Sequence, residues 1–360
     1  MTVTPVARPQ LVYLVFGTET YHQEAAFSIA SALARLRETP GAELDIQVFT
    51  DNPEPYRLLP VRIRPLDEAT RKSWSEPHGY HFRIKHVVMR TVLEEAEQAI
   101  LIDTDTFFHR SPMELFKRIG PGTLLCNAFY TVYGANKKMT LYTALAALLK
   151  ERGLADDQMM TLNSGVIGLN RQDINLVERS IELMDELFPL AQGAYTLEEF
   201  CLSVAAYRTC NVRECPDLIH HYWGRKVLFR AKVKAWLRKH GEHPLSQEAL
   251  DDACRVNGRL PRPPRGKRMR NKLMTLALPK QQRQFFRELL YGCHEHANEF
   301  DQACGPAWWE RARESLEIRL KQPLTDEQLS RWFDSVTVRL LLGKRRKTIH
   351  QHLLQRSLRQ

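Results

Sequence analysis

Residues 98–109 read QAILIDTDTFFH, an apolar run that ends in two aspartates one residue apart. Continued as a strand, the run would point Asp103 and Asp105 to the same face. Two carboxylates side by side repel, and burying them is costly unless something neutralises the charge. A divalent cation held by oxygen ligands would do so; the alternative is a capping or turn role for one or both aspartates. A second group is LIHHYWGRK at 218–226. Here His221 can offer a nitrogen to the same cation, and Gly224 lets the backbone pass close to a ligand. Arg225 or Lys226 can supply positive charge to a phosphate. The plainer alternative packs His221 on Trp223 and leaves the cations solvated. Two carboxylates and one imidazole suit Mn²⁺, with Mg²⁺ as a substitute.

The elements that must position these groups alternate. LVYLVF (11–16) is a strand ending at Gly17, followed by a helical pattern over 24–37. DIQVFTD (45–51) and VRIRPL (61–66) are further strands, and a helix over 82–97 leads into AILID. SPME (111–114) has the form of a capping box with Pro at the first helical position. TLLCNA (123–128) and NSGVIGLN (163–170) are strands separated by a helix over 139–152, and helices follow over 171–188 and 196–208. Strands alternating with helices indicate an α/β sheet with mostly parallel strands. Ligands of such sheets sit at the carboxyl ends of the strands, where the aspartate pair falls.

Three features combine: D-x-D at a strand end, NSGV 60 residues later, and H-x-x-G-x-K at 221–226. Together they resemble the retaining GT-A glycosyltransferases, and most closely the glycosyltransferase family 8 type, which includes glycogenin and bacterial lipopolysaccharide hexosyltransferases. The resemblance covers roughly residues 10–228. It implies a GT-A nucleotide-diphospho-sugar transferase fold, a Rossmann-like mixed sheet. The implied reaction is metal-dependent transfer of a hexose from a nucleotide-diphosphate sugar, UDP-sugar favoured, to a glycan or glycolipid acceptor with retention. By resemblance, Asp103 contacts ribose and metal, Asp105 chelates the metal and His221 completes the protein ligands. Lys226 holds the diphosphate, Asn163 faces the sugar, and Lys85 in FRIK lies near the donor. Where the family often has an acidic-Gln pair, this chain reads LEEF, and Glu198 takes the acidic position near the reacting sugar. Val227 and Leu228 stand where relatives often continue with Pro-Trp. In such folds the positions of Thr18, Tyr21 and Asp51 commonly contact base and ribose; otherwise Tyr21 is core and Asp51 caps a turn.

The chemistry expected of such a site is charge stabilisation on a leaving diphosphate by metal and lysine. In a retaining reaction the leaving phosphate can itself take the acceptor proton. An inverting enzyme would need a separate base.

Composition sets the outer bounds. The 360 residues are 43% hydrophobic and 9% aromatic, ordinary globular material. No apolar run reaches the roughly 18–20 residues of a membrane span, and LVYLVF is too short for a signal peptide. Seven scattered cysteines without CxxC suit a reducing compartment. The expectation is a soluble cytoplasmic protein, with a peripheral position on the inner face of the membrane as the further option.

Charge divides the chain. Residues 1–224 hold 22 Lys and Arg against 28 Asp and Glu, whereas 225–360 hold 30 against 14. We therefore expect a GT-A catalytic domain over 1–228 and a basic helical region over 229–360. KVLFRAKVKAWLRKH (226–240) is a cationic helix and RVNGRLPRPPRGKRMRNK (255–272) a basic loop. Helical patterns follow in 281–290, 307–320 and 324–342, the last opened by a Thr325–Gln328 capping box. Such a region could lie on an anionic membrane surface, bind a phosphorylated acceptor, or bind nucleic acid. It could also simply cover the catalytic sheet. With no RNA-binding motif in view, membrane or anionic acceptor is favoured over nucleic acid. CHEH (293–296) with Asp301 and Cys304 matches no strong zinc spacing. The rival to an enzyme is a degenerate transferase fold serving as a basic scaffold for an anionic membrane surface or nucleic acid.

Overall fold

The computed structural model describes residues 8–357 and divides them into two units. The first comprises 8–223 and 240–255, the second 224–239 and 256–357.

The first unit is built on a seven-stranded mixed sheet. In chain order its strands are β1 (Gln10–Val15), β2 (Asp45–Thr50), β3 (Arg62–Pro65), β4 (Gln98–Ile102), β6 (Thr123–Val132), β7 (Met160–Asn170) and β8 (Asn211–Glu214). A separate pair is formed by β5 (Thr106–Phe108) and β9 (Ile219–His221). The sheet order is β3-β2-β1-β4-β7-β6-β8. Strands β3, β2, β1 and β4 are mutually parallel, β7 runs antiparallel to β4 and β6, and β6 is parallel to β8. The helices are α1 (Glu19–Leu36), α2 (Glu68–Ser75), α3 (Arg83–Glu95), α4 (Met113–Phe116), α5 (Thr140–Glu151), α6 (Ile174–Leu187) and α7 (Leu197–Ala206). The α/β reading of the sequence holds, and the reversal of β7 makes the sheet mixed.

The apolar runs follow from covering both faces. Along β4, Ala99 and Leu101 pack into one core with Val12, Val88 and Met89, while Ile100 and Ile102 pack into the other with Leu11, Tyr13 and Val166. A strand buried on both faces needs apolar residues at successive positions, so no alternation is visible. The expected SPME capping box does not form. Pro112 occupies the N-cap of the single-turn α4, and the Ser111 hydroxyl oxygen accepts from the Met113 amide at 3.4 Å.

The chain continues through α8 (Lys226–His240), α9 (Gln247–Arg255), α10 (Arg265–Met274), α11 (Arg283–Gly292), α12 (Glu299–Gln302), α13 (Gly305–Leu320), α14 (Asp326–Asp334), α15 (Val336–Leu342) and α16 (Arg346–Ser357). The second unit has its own apolar core, with Phe285, Phe286, Leu316, Leu329, Phe333 and Leu353 among its residues. The basic segment over 255–272 is not all loop, because α10 begins directly after Pro264 and carries its last eight residues. The pattern over 324–342 is two helices, broken at Ser335, whose hydroxyl accepts from the Val338 amide and caps the second. The Thr325–Gln328 capping box is present, with both reciprocal bonds at 3.2 Å.

In α8 the interleaved apolar residues Phe229, Val233 and Trp236 are buried. Lys232 is buried with them, and its ammonium donates to the carbonyls of Asn257 and Arg259 at 2.9 and 3.1 Å and faces Asp301 at 3.3 Å. This cation is a structural one. All seven cysteines are free. No helix among the described residues is long and apolar enough to cross a membrane.

Candidate active site

Order reverses at one place in the sheet: from β1 the chain builds outward through β2 and β3 on one side, then returns to add β4 on the other. A crevice at the carboxyl ends of the strands opens at such a switch point. The residues following those ends are Gly17 and Thr18 after β1, Asp51 after β2, and Asp103 after β4.

The aspartates do not lie on a continuing strand. Strand β4 stops at Ile102, and residues 103–105 form a turn into β5. The turn, not the two-residue period of a strand, brings the carboxylates together. It is fixed from below by a run of hydroxyls. Thr106 Oγ1 donates to the Asp103 carbonyl at 2.9 Å. Its one proton thus used, it must accept from Ser28 Oγ at 2.8 Å, which in turn accepts from the Tyr13 hydroxyl at 3.0 Å.

His221 reaches the turn because β9 pairs antiparallel with β5, Thr106 opposite His221. Its Nε2 lies 3.2 Å from Asp105 Oδ1 and 3.7 Å from Asp103 Oδ2. The other ring nitrogen, Nδ1, lies 2.8 Å from Asn163 Oδ1. That oxygen also accepts from the Gly165 amide at 3.0 Å, and the Asn163 amide nitrogen donates to the Tyr130 hydroxyl. Asn163 Oδ1 is therefore an acceptor, and Nδ1 must carry a proton. In a neutral imidazole this leaves the Nε2 lone pair facing two carboxylates, an arrangement that calls for a cation between them. Ligand atoms of Asp103, Asp105 and His221 all fall within 4.8 Å of one another. The residues present fit a divalent metal: two hard carboxylates, one imidazole and a tautomer set by an outer partner.

A glycine that the sequence did not single out makes this possible. A Cβ on Gly165 would overlap the imidazole of His221 and crowd Asn163 Oδ1. At Gly224, by contrast, a Cβ would meet open space. Of these two glycines it is Gly165, in NSGV, that permits a close approach within the chain.

Behind Asp103, Asp105 and His221 lies a buried charge network. Lys85, on α3, is 2.9 Å from Asp103 Oδ1 and donates to Ser164 at both its carbonyl (3.0 Å) and its hydroxyl (3.1 Å). Burial opposes its charge, but Asp103 and Glu198 outweigh that and raise its pKa above the ordinary lysine value. Glu198, at the start of α7, is 2.7 Å from His86 Nε2 and accepts from Ser164 Oγ at 2.8 Å. Its burial would raise its pKa, yet Lys85 and His86 hold it below the carboxylate norm. Glu199 behaves oppositely: burial and the Glu198 charge beside it push it up to about 8. The two neighbours in LEEF thus take different roles, one ionised and the other protonated near neutrality.

The structure brings Asp103, Asp105, His221, Asn163, Lys85 and Glu198 together. Asp51 sits apart, with Oδ2 accepting from the Gly17 amide at 3.1 Å and Oδ1 3.3 Å from His22 Nε2. Thr18 is the N-cap of α1 with no side-chain capping bond, and Tyr21 is 40% exposed, so it is not core. Gly224 and Lys226 belong to the second unit. Trp223 meets Tyr130 edge-on at 6.2 Å and is not the packing partner of a buried His221. Sequence reasoning missed Ser164, Gly165, His86 and Tyr130. The first two adjoin Asn163, and His86 adjoins Lys85, so chain proximity was the only signal for three of them. In CHEH the rings of His294 and His296 meet at 4.7 Å, but neither belongs to a three-ligand group among the described residues.

No family model matches the chain, and no curated protein matches it. Among the solved structures similar to it are glycosyltransferases. They include the bifunctional glycosyltransferase WbbM without ligand, at 14% identity over 60% of this chain and 40% of that one, TM-score 0.42. Another is the galactosyltransferase LgtC in complex with donor and acceptor sugar analogues, at 13% identity over 56% and 72%, TM-score 0.40. A third is mouse xyloside xylosyltransferase 1 without ligand, at 13% identity over 58% and 85%, TM-score 0.41. The chain thus spans well under half the length of the first of these.

Proposed function

We propose that the protein is a divalent-metal-dependent glycosyltransferase that moves a hexose from a nucleotide-diphosphate sugar to a glycan or glycolipid acceptor, with retention. The observation that carries this reading is the single geometry at His221. Its Nδ1–H is committed to Asn163, and its Nε2 faces Asp103 and Asp105 at the switch point of the sheet. When bound there, Mn²⁺ or Mg²⁺ supplies Lewis-acid stabilisation to a leaving diphosphate. The chain's own groups hold the frame. Lys85 neutralises the Asp103 oxygen turned away from the histidine, and Ser164 ties Lys85 to Glu198. Glu198 is spent on His86, Ser164 and Lys85, so it serves as a positioning residue. Retention enters the proposal from the sequence pattern, the leaving phosphate taking the acceptor proton. Roles for Thr18, Tyr21 and Asp51 at base and ribose, and for Gly224 and Lys226 at the diphosphate, enter this proposal from the sequence pattern. So does a cytoplasmic, membrane-peripheral setting.

The test is thermal melting with UDP, GDP, ADP and CMP, each with and without Mn²⁺, on the wild type and on Asp105→Ala. A ligand at a hundred times its Kd adds about 2.7 kcal/mol. We expect UDP to stabilise the wild type only with metal, and Asp105→Ala to fold and not respond. If no nucleotide shifts the wild type under any condition, the enzyme reading falls and the scaffold reading replaces it.

A further inference from the structure

The second unit contains a cavity of ≈ 490 Å³ with an unusual lining: Arg262, Arg265, Arg268, Lys272, Arg287 and Arg311 around a single acid, Glu288. Helical spacing explains the convergence. Arg265, Arg268 and Lys272 lie at i, i+3 and i+7 of α10, Arg287, Glu288 and Tyr291 at i, i+1 and i+4 of α11, and Trp308 and Arg311 three apart on α13. Three helices each turn one face to the same space, and the volume falls in the range of small-molecule sites.

Three observations say what fits. First, none of the six cationic side chains takes part in an ion pair or hydrogen bond with the described residues. Elsewhere this unit spends its cations on acids and carbonyls: Lys232 on Asp301, Arg313 on Glu317, Arg345 on Glu295. Like charges gathered without partners repel, and an anion of more than one charge relieves this. Second, Glu288 is more than nine-tenths buried, and one of its carboxylate oxygens, Oε2, has no hydrogen-bond partner; Oε1 accepts from Gln284 at 3.0 Å. A buried acceptor needs a donor. A fully ionised phosphate has none to give, but a sugar hydroxyl has. Third, Trp308 and Tyr291 meet edge-on at 5.1 Å, and Arg311 lies 5.6 Å from the Trp308 ring centroid. The Trp308 N–H is already committed to the Pro261 carbonyl at 2.6 Å, so its contribution to the cavity is an apolar surface.

We propose that this cavity binds a phosphorylated sugar, with phosphates on the arginines and lysine, a hydroxyl donated to Glu288 Oε2, and ring carbons against Tyr291 and Trp308. Taken with the transferase reading, on which this assignment of role rests, it makes the acceptor a phosphorylated glycan. Nucleic acid and a bare anionic membrane surface fit less well: a recess of this volume takes one sugar with its phosphates, and neither ligand need offer a hydroxyl to Glu288.

The test is calorimetric titration of the full chain with glucose 1,6-bisphosphate, inorganic pyrophosphate and glucose. Each is run on wild type and on Asp105→Ala, so that the donor site does not contribute. We expect the bisphosphate to bind at least tenfold tighter than pyrophosphate, and equally in both proteins. Arg268→Ala/Arg287→Ala should weaken both phosphate ligands at least tenfold. Glu288→Gln should weaken only the bisphosphate, and both variants should keep the metal-dependent response to UDP. Should Glu288→Gln not fold, Tyr291→Ala serves the same end, weakening the bisphosphate and sparing pyrophosphate. Equal affinity for pyrophosphate and bisphosphate would overturn the proposal, as would affinities unchanged in the arginine variant. So would displacement of the bisphosphate by a single-stranded oligonucleotide or by phosphatidylglycerol vesicles. Bisphosphate binding without any UDP response would leave the cavity assigned and remove the transferase reading instead.

Discussion

Asn163 Oδ1 accepts from His221 Nδ1 at 2.8 Å and from the Gly165 amide at 3.0 Å, and so decides which nitrogen of the histidine faces the two aspartates. Outer partners of this kind set the tautomer and orientation of a metal ligand, and their removal typically costs ten- to a hundred-fold in metal affinity. Asn163→Ala is therefore expected to weaken Mn²⁺ binding in the presence of UDP by about 10–100-fold. Titration followed by electron paramagnetic resonance of free Mn²⁺ measures it; an affinity within twofold of wild type would refute the role.

Gly165→Ala tests the close approach. The added methyl overlaps the His221 ring, and overpacking of this kind typically costs about 1–3 kcal/mol. We expect a lowered melting temperature together with loss of Mn²⁺-dependent stabilisation by UDP. Gly224→Ala, where a Cβ meets nothing, should leave the melting temperature unchanged.

Lys85 neutralises two acids at once. Its ammonium is buried 2.9 Å from Asp103 and 3.8 Å from Glu198. Lys85→Met leaves those carboxylates without their cation, and breaking a buried pair in this way costs about 3–5 kcal/mol. Urea unfolding should show a correspondingly lower midpoint at unchanged slope. A loss under about 1 kcal/mol would mean that the acids are neutralised otherwise.

Glu199 gives stability a pH dependence of definite sign. With its native pKa near 8 against an ordinary 4.5, it keeps its proton in the folded chain while the unfolded chain has lost it. The folded state then binds more protons between those values, so this group's contribution to stability is complete below pH 4.5. It falls as pH rises towards 8. Glu199→Gln should flatten that part of the curve, measured by melting temperature from pH 5 to 8.5. An identical slope in wild type and variant would show that the native carboxyl is not protonated there.

Much of the first unit was legible in the sequence because local signals and tertiary needs agree. The runs LVYLVF, DIQVFT and AILI are short, apolar and bounded by turn residues, and each becomes a parallel strand of the sheet's central region. Asp103, Asp105 and His221 were found by residue type and spacing, and they do converge. The Thr325–Gln328 box was readable for the same reason, since both of its bonds lie within four residues.

Only the tertiary structure decided the rest, because the deciding contacts join residues far apart in the chain. Nothing local tells that a turn, not a strand, presents the two aspartates, or that Asn163 reaches across 58 positions to His221. The division of labour in LEEF depends on Lys85 and His86, more than a hundred residues earlier, which hold Glu198 ionised while burial keeps Glu199 protonated. The basic stretch over 255–272 read as a loop because proline, glycine and cations dominate it. Its later part is helical, and that helix sets three cations on one face towards Arg287 and Arg311. Composition determined that the C-terminal part is basic; the packing of three helices decided where five of those charges meet Arg262, and that Glu288 is buried among them.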